Sequence, residues 1–176
     1  MPARHAFRDP GPGERPVSPP PSYGVPAEGG ELMTWAWVRE LLDPARQYWM
    51  ATVDPQCRPS AMPMWGVVVE DDLYLETPAV TRRARNLSSN PAVAVHIELG
   101  DHVVAIEGVA EPIAPEPELA VAIAAAFAAK YGTYRPEPTE WDGGGLYAIL
   151  PRVVFAWRDI PTATRWLFAD RAPGGR

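Results

Sequence analysis

Apolar residues alternate with polar ones in short runs along most of this chain, and three stretches instead repeat at helical spacing. Residues 34–42 put Trp35, Val38, Leu41 and Leu42 on one helical face, with Thr34 as the cap. Asp43-Pro44 ends that helix, and Tyr48–Val53 reads as a first strand. Residues 54–59, with an aspartate and two prolines, read as a turn. Residues 61–70 follow as one long strand with Pro63 inside it. A proline there demands an edge position, a bulge or a ligand against the backbone, because it has no N–H for the ladder. Asp71-Asp72 turns into a strand over residues 73–77, which Pro78 stops. Thr81 caps a short helix, Arg82–Ser89, and Asn90-Pro91 ends it, since the residue before proline avoids the α region. Residues 92–99 and 102–110 form a strand pair about Gly100-Asp101. Pro117–Tyr131 is an alanine-rich helix with Leu119, Ile123 and Phe127 on one stripe. After a loop over residues 134–145, Leu146–Trp157 is a strand interrupted by Pro151, and residues 164–168 are the last strand. Six or seven antiparallel strands with two or three helices predict a mainly β, barrel-like fold.

Composition narrows the setting. The length of 176 residues is that of one domain, here residues 31–170. Residues 1–30 are crowded with proline, glycine and charge and read as a disordered tail, tied down only if something holds it; residues 171–176 read as a flexible end. The net charge of −6 argues against a nucleic-acid partner. A single cysteine, Cys57, rules out an internal disulfide and a multi-cysteine metal site, and no apolar run is as long as a membrane span. A cytoplasmic protein with no metal and no membrane contact is the expectation.

Candidate chemistry concentrates at one helix start. Arg82 and Arg83 sit there with Thr77 and Thr81 beside them, and two guanidinium forks with two hydroxyls at a helix N-terminus suit a phosphate. The alternative is a solvated helix whose arginines face water. His96 and His102 read as hydrogen-bonded strand histidines, too few for a metal site. Glu107, in an apolar strand, reads either as a buried carboxylate with a raised pKa or, the preferred reading, as one paired with an arginine such as Arg85 or Arg152, and Cys57 reads as inert. Trp49, Trp65, Trp157 and Trp166 fall in strands, where core or an interface is the default.

The run Thr77-x-x-x-Thr81-Arg82-Arg83-Ala84, followed by Asn90-Pro91 and an apolar strand, resembles the flavin phosphate segment of the pyridoxamine 5′-phosphate oxidase-like split-barrel family. Thr81 stands where that family has serine and Arg83 where it has lysine. The likeness extends to residues 35–42, to Tyr48–Val53, to Arg58-Pro59 and Pro63-Met64-Trp65-Gly66, to Glu107-Gly108, and to Thr164-Arg165-Trp166. It implies a six-stranded antiparallel split barrel that works as a homodimer, with FMN or coenzyme F420 in a groove between the two barrels. It implies that Thr77, Thr81, Arg82 and Arg83 hold the cofactor phosphate. The backbone of Met62, Pro63, Met64 and Trp65 would lie along the ring, Trp65 offering a stacking face. Arg165 and Trp166 would reach the cofactor or substrate from the partner subunit.

Two departures matter. Residues 60–66 lack the basic residues that the oxidase proper places on this strand, and its Arg-x-His near the C-terminus is missing. Vitamin B6 oxidation is therefore not expected. The Pro-x-Trp strand resembles instead the branch holding F420-dependent reductases, FMN binders and heme- or biliverdin-related proteins. The implied function is an oxidoreductase passing hydride to a small, planar substrate. The alternative is a noncatalytic protein that binds or stores flavin or heme. The cofactor carries the chemistry itself, so no dedicated acid–base residue is required, and none stands out.

Overall fold

The computed structural model describes residues 6–16, 21–25 and 30–168. Three α-helices and eight strands follow one another in the order α1 (Trp35–Leu42), β1 (Tyr48–Val53), β2 (Pro59–Met64), β3 (Gly66–Val69), β4 (Asp72–Glu76), α2 (Arg82–Ser89), β5 (Ala92–Leu99), β6 (His102–Pro112), α3 (Pro117–Tyr131), β7 (Leu146–Trp157) and β8 (Thr164–Leu167). The strands form a single eight-stranded sheet in the order β2-β1-β5-β6-β7-β4-β3, with β8 on β7, and every pairing is antiparallel. The two ends of that order, β2 and β3, are neighbours in the chain, separated only by Trp65. A sheet whose outermost strands are joined through one residue must curl back on itself, and this produces the mainly β, split-barrel architecture.

The predicted long strand over residues 61–70 is thus corrected to two strands broken at Trp65. Met64 and Gly66 continue the apolar run, so periodicity alone carries no sign of the break. Gly66 fits because it passes close to its neighbour: a Cβ there would lie 2.7 Å from the Tyr74 carbonyl oxygen. Pro63 is tolerated because β2 pairs only with β1, which makes it an edge strand. Pro151 does not interrupt β7. It pairs with Gly108 at a β-bulge where Glu107 opposes Val153 and Gly108 opposes Pro151, and Phe168 N–H takes up the freed carbonyl of Arg152 at 2.9 Å.

Alternation decides which residues enter which core. Leu73 and Leu75 on β4 face the barrel interior with Met50, Val95, Ile106 and Ile149, and Trp35, Val38 and Leu42 of α1 join them there. Tyr74, between the two leucines, faces the other way and packs with Val67, Leu146 and Ala148 under Ile123 and Phe127 of α3. The helix caps are those that the sequence predicts. Trp37 N–H donates to the Thr34 hydroxyl at 3.2 Å, and Ala84 N–H donates to the Thr81 hydroxyl at 3.2 Å.

The expected disordered tail is corrected over residues 6–16, which lie against the barrel. Phe7 is 1% exposed and packs on Trp35 and Phe168. Its N–H donates to the Asp71 carbonyl at 2.9 Å, and the Ala6 N–H donates to the Asp72 carboxylate. These bonds hold the β3–β4 hairpin turn, whose central residues Glu70 and Asp71 have φ of 50° and 65°. Further on, Glu14 exchanges backbone hydrogen bonds of 2.8 and 2.7 Å with Arg165 of β8. Gly13 crosses the Trp166 ring so closely that a Cβ would lie 2.8 Å from it. One buried phenylalanine and a short bridge outweigh the local composition. The calls on residues 1–5, 17–20, 26–29 and 169–176, the domain's end at 170 among them, lie outside the described residues.

Candidate functional site

The start of α2 is built from hydroxyls bonded to each other. Thr77 is fully buried just after β4, with its N–H donating to the Gly145 carbonyl at 2.8 Å. Its hydroxyl lies 3.0 Å from that of Thr81, which also caps the helix. Both threonines therefore shape the turn that aims the two arginines.

The arginines part company. Arg82 donates to the Asp54 carboxylate at 3.3 Å, back over the β1–β2 turn. Asp54 also takes the Arg58 N–H at 2.9 Å, the Gln56 N–H at 3.0 Å and the Arg58 guanidinium at 2.8 Å. The Arg58 backbone bond foremost, with help from its side chain and Gln56, holds that carboxyl below the ordinary aspartate range. Arg83 turns the other way and lines a cavity of about 310 Å³ together with Pro63, Met64, Trp65, Glu76, Pro78 and Tyr134. Its Nε is buried with no hydrogen-bond partner, and burial lowers its pKa, although a guanidinium keeps its charge.

Pro63, Met64, Trp65 and Arg83, picked from two separate stretches of sequence, thus share one cavity. Met62 lies next to it on β2 and is 46% exposed. Trp65 is 45% exposed, its ring stacked on Tyr131 at 4.7 Å and 17°. That support is firm: Gly66 N–H donates to the Tyr131 hydroxyl at 2.9 Å, and Lys130 Nζ donates to the Gly66 carbonyl at 3.0 Å and to the Tyr48 hydroxyl at 2.9 Å. Burial pushes the Lys130 amine down to about 8 and the Tyr48 and Tyr131 hydroxyls up.

Arg165 and Trp166 sit elsewhere. Trp166 is 2% exposed in the barrel interior, its ring edge-on to Trp35 at 5.5 Å, and Arg165 forms an ion pair with Glu14 at 2.6 Å. The expectation that Trp166 reaches outward is corrected: the crossing of Gly13 closes it in. Glu107 is exposed rather than buried. Trp49 stacks on His96 at 6.4 Å, and His102 lies edge-on to Trp37 at 5.5 Å. Cys57 is exposed in the turn after β1. Among the described residues no group of three or more His, Cys, Asp or Glu could hold a metal ion, and no helix is long and apolar enough to cross a membrane.

Sequence reasoning missed two groups of the cavity wall. Glu76 ends β4, and Tyr134 lies in the loop after α3. The Tyr134 hydroxyl is 2.7 Å from each oxygen of the Glu76 carboxyl. Burial, with Glu140 adding to it, raises the Glu76 pKa against the opposing bond from Tyr134. Burial and the same carboxylate raise the Tyr134 pKa. Trp65 and Phe127 flank the Tyr134 ring at 5.5 and 5.7 Å. A contact across 58 positions leaves no local signal.

The family model for pyridoxamine 5′-phosphate oxidase matches residues 35–157. No curated protein matches the chain. Solved structures with the same fold include the conserved hypothetical protein Rv2991 from Mycobacterium tuberculosis, 24% identical over 78% of this chain and 92% of that one, with a TM-score of 0.64. A structure named F420 Reductase is 20% identical over 73% of this chain and 98% of its own, with a TM-score of 0.53. The heme storage protein HutZ from Vibrio cholerae is 21% identical over 69% and 91%, with a TM-score of 0.56. With the family match running from the first helix to the last residue of β7, well over half its length, this chain belongs to the pyridoxamine 5′-phosphate oxidase-like split-barrel family.

Proposed function

We propose that this protein is an oxidoreductase that holds FMN or coenzyme F420 in the cavity between β2, β4 and α2. The observation that carries the reading is the Arg83 guanidinium, whose buried Nε lacks a partner on a wall shared with the Trp65 ring. A phosphate fits that donor, because a buried N–H without a partner is costly and an anionic acceptor removes the cost. Arg83 would hold the phosphate, with Thr77 and Thr81 fixing the turn that aims it. Pro63 and Met64 would form the wall along the flat ring, and Trp65 would offer a stacking face. When bound, either cofactor supplies hydride-transfer chemistry, and the chain supplies position and exclusion of water.

A second copy completes the site in this reading. Ala61, Met62 and Pro63 of the edge strand are exposed and apolar, and Trp49 on the neighbouring strand is 40% exposed. Uncovered edges of this kind are normally protected, and the homodimer of the family would protect this one. The substrate is a small, planar acceptor, and the cytoplasm is the setting proposed.

The test is direct. Purified protein that is yellow and shows a flavin band carries FMN, whereas colourless protein that quenches added F420 fluorescence takes the deazaflavin. The absence of both signals from pH 5 to 9 removes the reading. Likeness in fold to structures named for heme storage and heme binding keeps a storage or sensing role as the second reading. Reduction of quinones, biliverdin or unsaturated acceptors by the loaded protein decides for the enzyme.

A further inference from the structure

The cavity has a second wall that the phosphate reading does not use. Glu76 and Tyr134 stand there together, 2.7 Å apart, while Arg83 lines the same space. One carboxyl and one phenol at that separation from both oxygens share a proton: when Glu76 is ionised, Tyr134 donates to it, and when it is neutral the carboxyl has a proton of its own to offer. Glu76 N–H is itself bound to the Trp65 carbonyl at 3.3 Å, which ties the end of β4 to the strand break that carries the aromatic wall. An anionic ligand drawn in by Arg83 therefore meets a group that repels it when ionised and accepts it when neutral.

We propose that Glu76 is a specificity-determining residue of this cavity, which takes its phosphate-bearing ligand together with a proton held between Glu76 and Tyr134. The inference rests on the phosphate reading of Arg83 given above and adds a pH-dependent selection to it. The charged and titratable groups that face Glu76 are Tyr134 and Glu140 from the loop after α3 and Arg83 from α2. Burial favours the neutral form most, and Glu140 adds to it because two carboxylates near one pocket do not both ionise at no cost; the Tyr134 and Trp141 bonds oppose them, and the net direction is upward. The sign follows. Below its raised pKa, Glu76 is neutral and the ligand binds with the full attraction of Arg83. Above it, the carboxylate opposes the phosphate, and binding weakens as pH rises.

FMN titrations followed by ring fluorescence from pH 5 to pH 9 test this with the full chain. The phosphate's own ionisation is common to all variants, so the ratio of wild type to Glu76→Gln isolates the carboxyl. The two should bind most nearly alike at the acid end of that range and diverge as pH rises, the wild type being weaker by about tenfold at pH 8, the size expected of one repulsion of roughly 1.4 kcal/mol. Tyr134→Phe removes the bond that favours the carboxylate, so the break in its profile should move to higher pH. Riboflavin, which lacks the phosphate, should lose most of the dependence. A wild type to Glu76→Gln ratio that stays constant from pH 5 to 9 overturns the inference, as does a Tyr134→Phe profile superimposable on the wild type. Undiminished FMN binding by Arg83→Ala, or binding of neither FMN nor F420 by wild type at any pH, removes the phosphate reading and the inference with it; a chain that takes F420 alone is put through the same series with F420.

Discussion

Asp54 draws the Arg82 guanidinium to within 3.3 Å and away from the cavity that the next residue, Arg83, lines. Adjacent arginines in one basic turn therefore have different duties. Arg83→Ala should weaken FMN or F420 affinity by about 1.5–3 kcal/mol, roughly ten- to a hundredfold or slightly more, the value of a hydrogen bond to a charged group. Arg82→Ala should cost less than about 1 kcal/mol in affinity, because its half-exposed guanidinium is held by Asp54 over a turn and does not line the cavity. Fluorescence titration of both variants checks the difference. Equal losses would return Arg82 to the phosphate.

Phe7 makes the N-terminal segment part of the fold. Phe7→Ala should destabilise the protein by about 3 kcal/mol, as buried phenylalanine truncations do, and lower Tm by roughly 6–12 °C. Calorimetry measures it. A shift below a degree would mean that residues 6–16 are dispensable.

Lys130 sets a pH dependence of stability. Its folded pKa, about 8, is below the ordinary lysine value of 10.5, so between those limits the unfolded chain holds a proton that the folded chain has lost. Stability therefore rises with pH from about 8, until the raised Tyr48 and Tyr131 hydroxyls begin to oppose it above pH 10. Urea midpoints should increase between pH 8 and pH 10 in the wild type and stay flat in Lys130→Met. Selective acetylation of this sole lysine offers a second check on its neutral fraction.

Met62→Glu places a charge on the exposed edge strand without touching the barrel interior. Sedimentation should show a dimer for wild type at micromolar concentration and a monomer for the variant. Tight FMN binding by a monomeric wild type would defeat the shared-site reading.

Much of this architecture is legible in the sequence because local signals agree with one another. Thr34 and Thr81 mark helix starts through their own hydroxyls, and Leu73-Tyr74-Leu75 splits between two cores by alternation alone. The break at Trp65 is not legible, since the apolar run continues on both sides. The docking of Phe7 is hidden by the proline and glycine around it. In the cavity, Pro63, Met64, Trp65 and Arg83 come from a recognisable pattern, whereas Glu76 and Tyr134 meet only once α3 has packed on the sheet. Charge pairing likewise escapes sequence reading: nothing in Arg82-Arg83 says which one Asp54 will take.

The single residue between β2 and β3 fixes the length of the chain there. Because Trp65 both joins the two outermost strands and floors the cavity, inserting one residue beside it would turn β3 over relative to β2 and send its valines to the wrong layers. Refitting this pocket to a larger ligand is thus a matter of trading the indole for another side chain, while any added length in the loop of residues 132–145 has to avoid Tyr134, the buried Trp141 and Gly145, whose carbonyl holds Thr77.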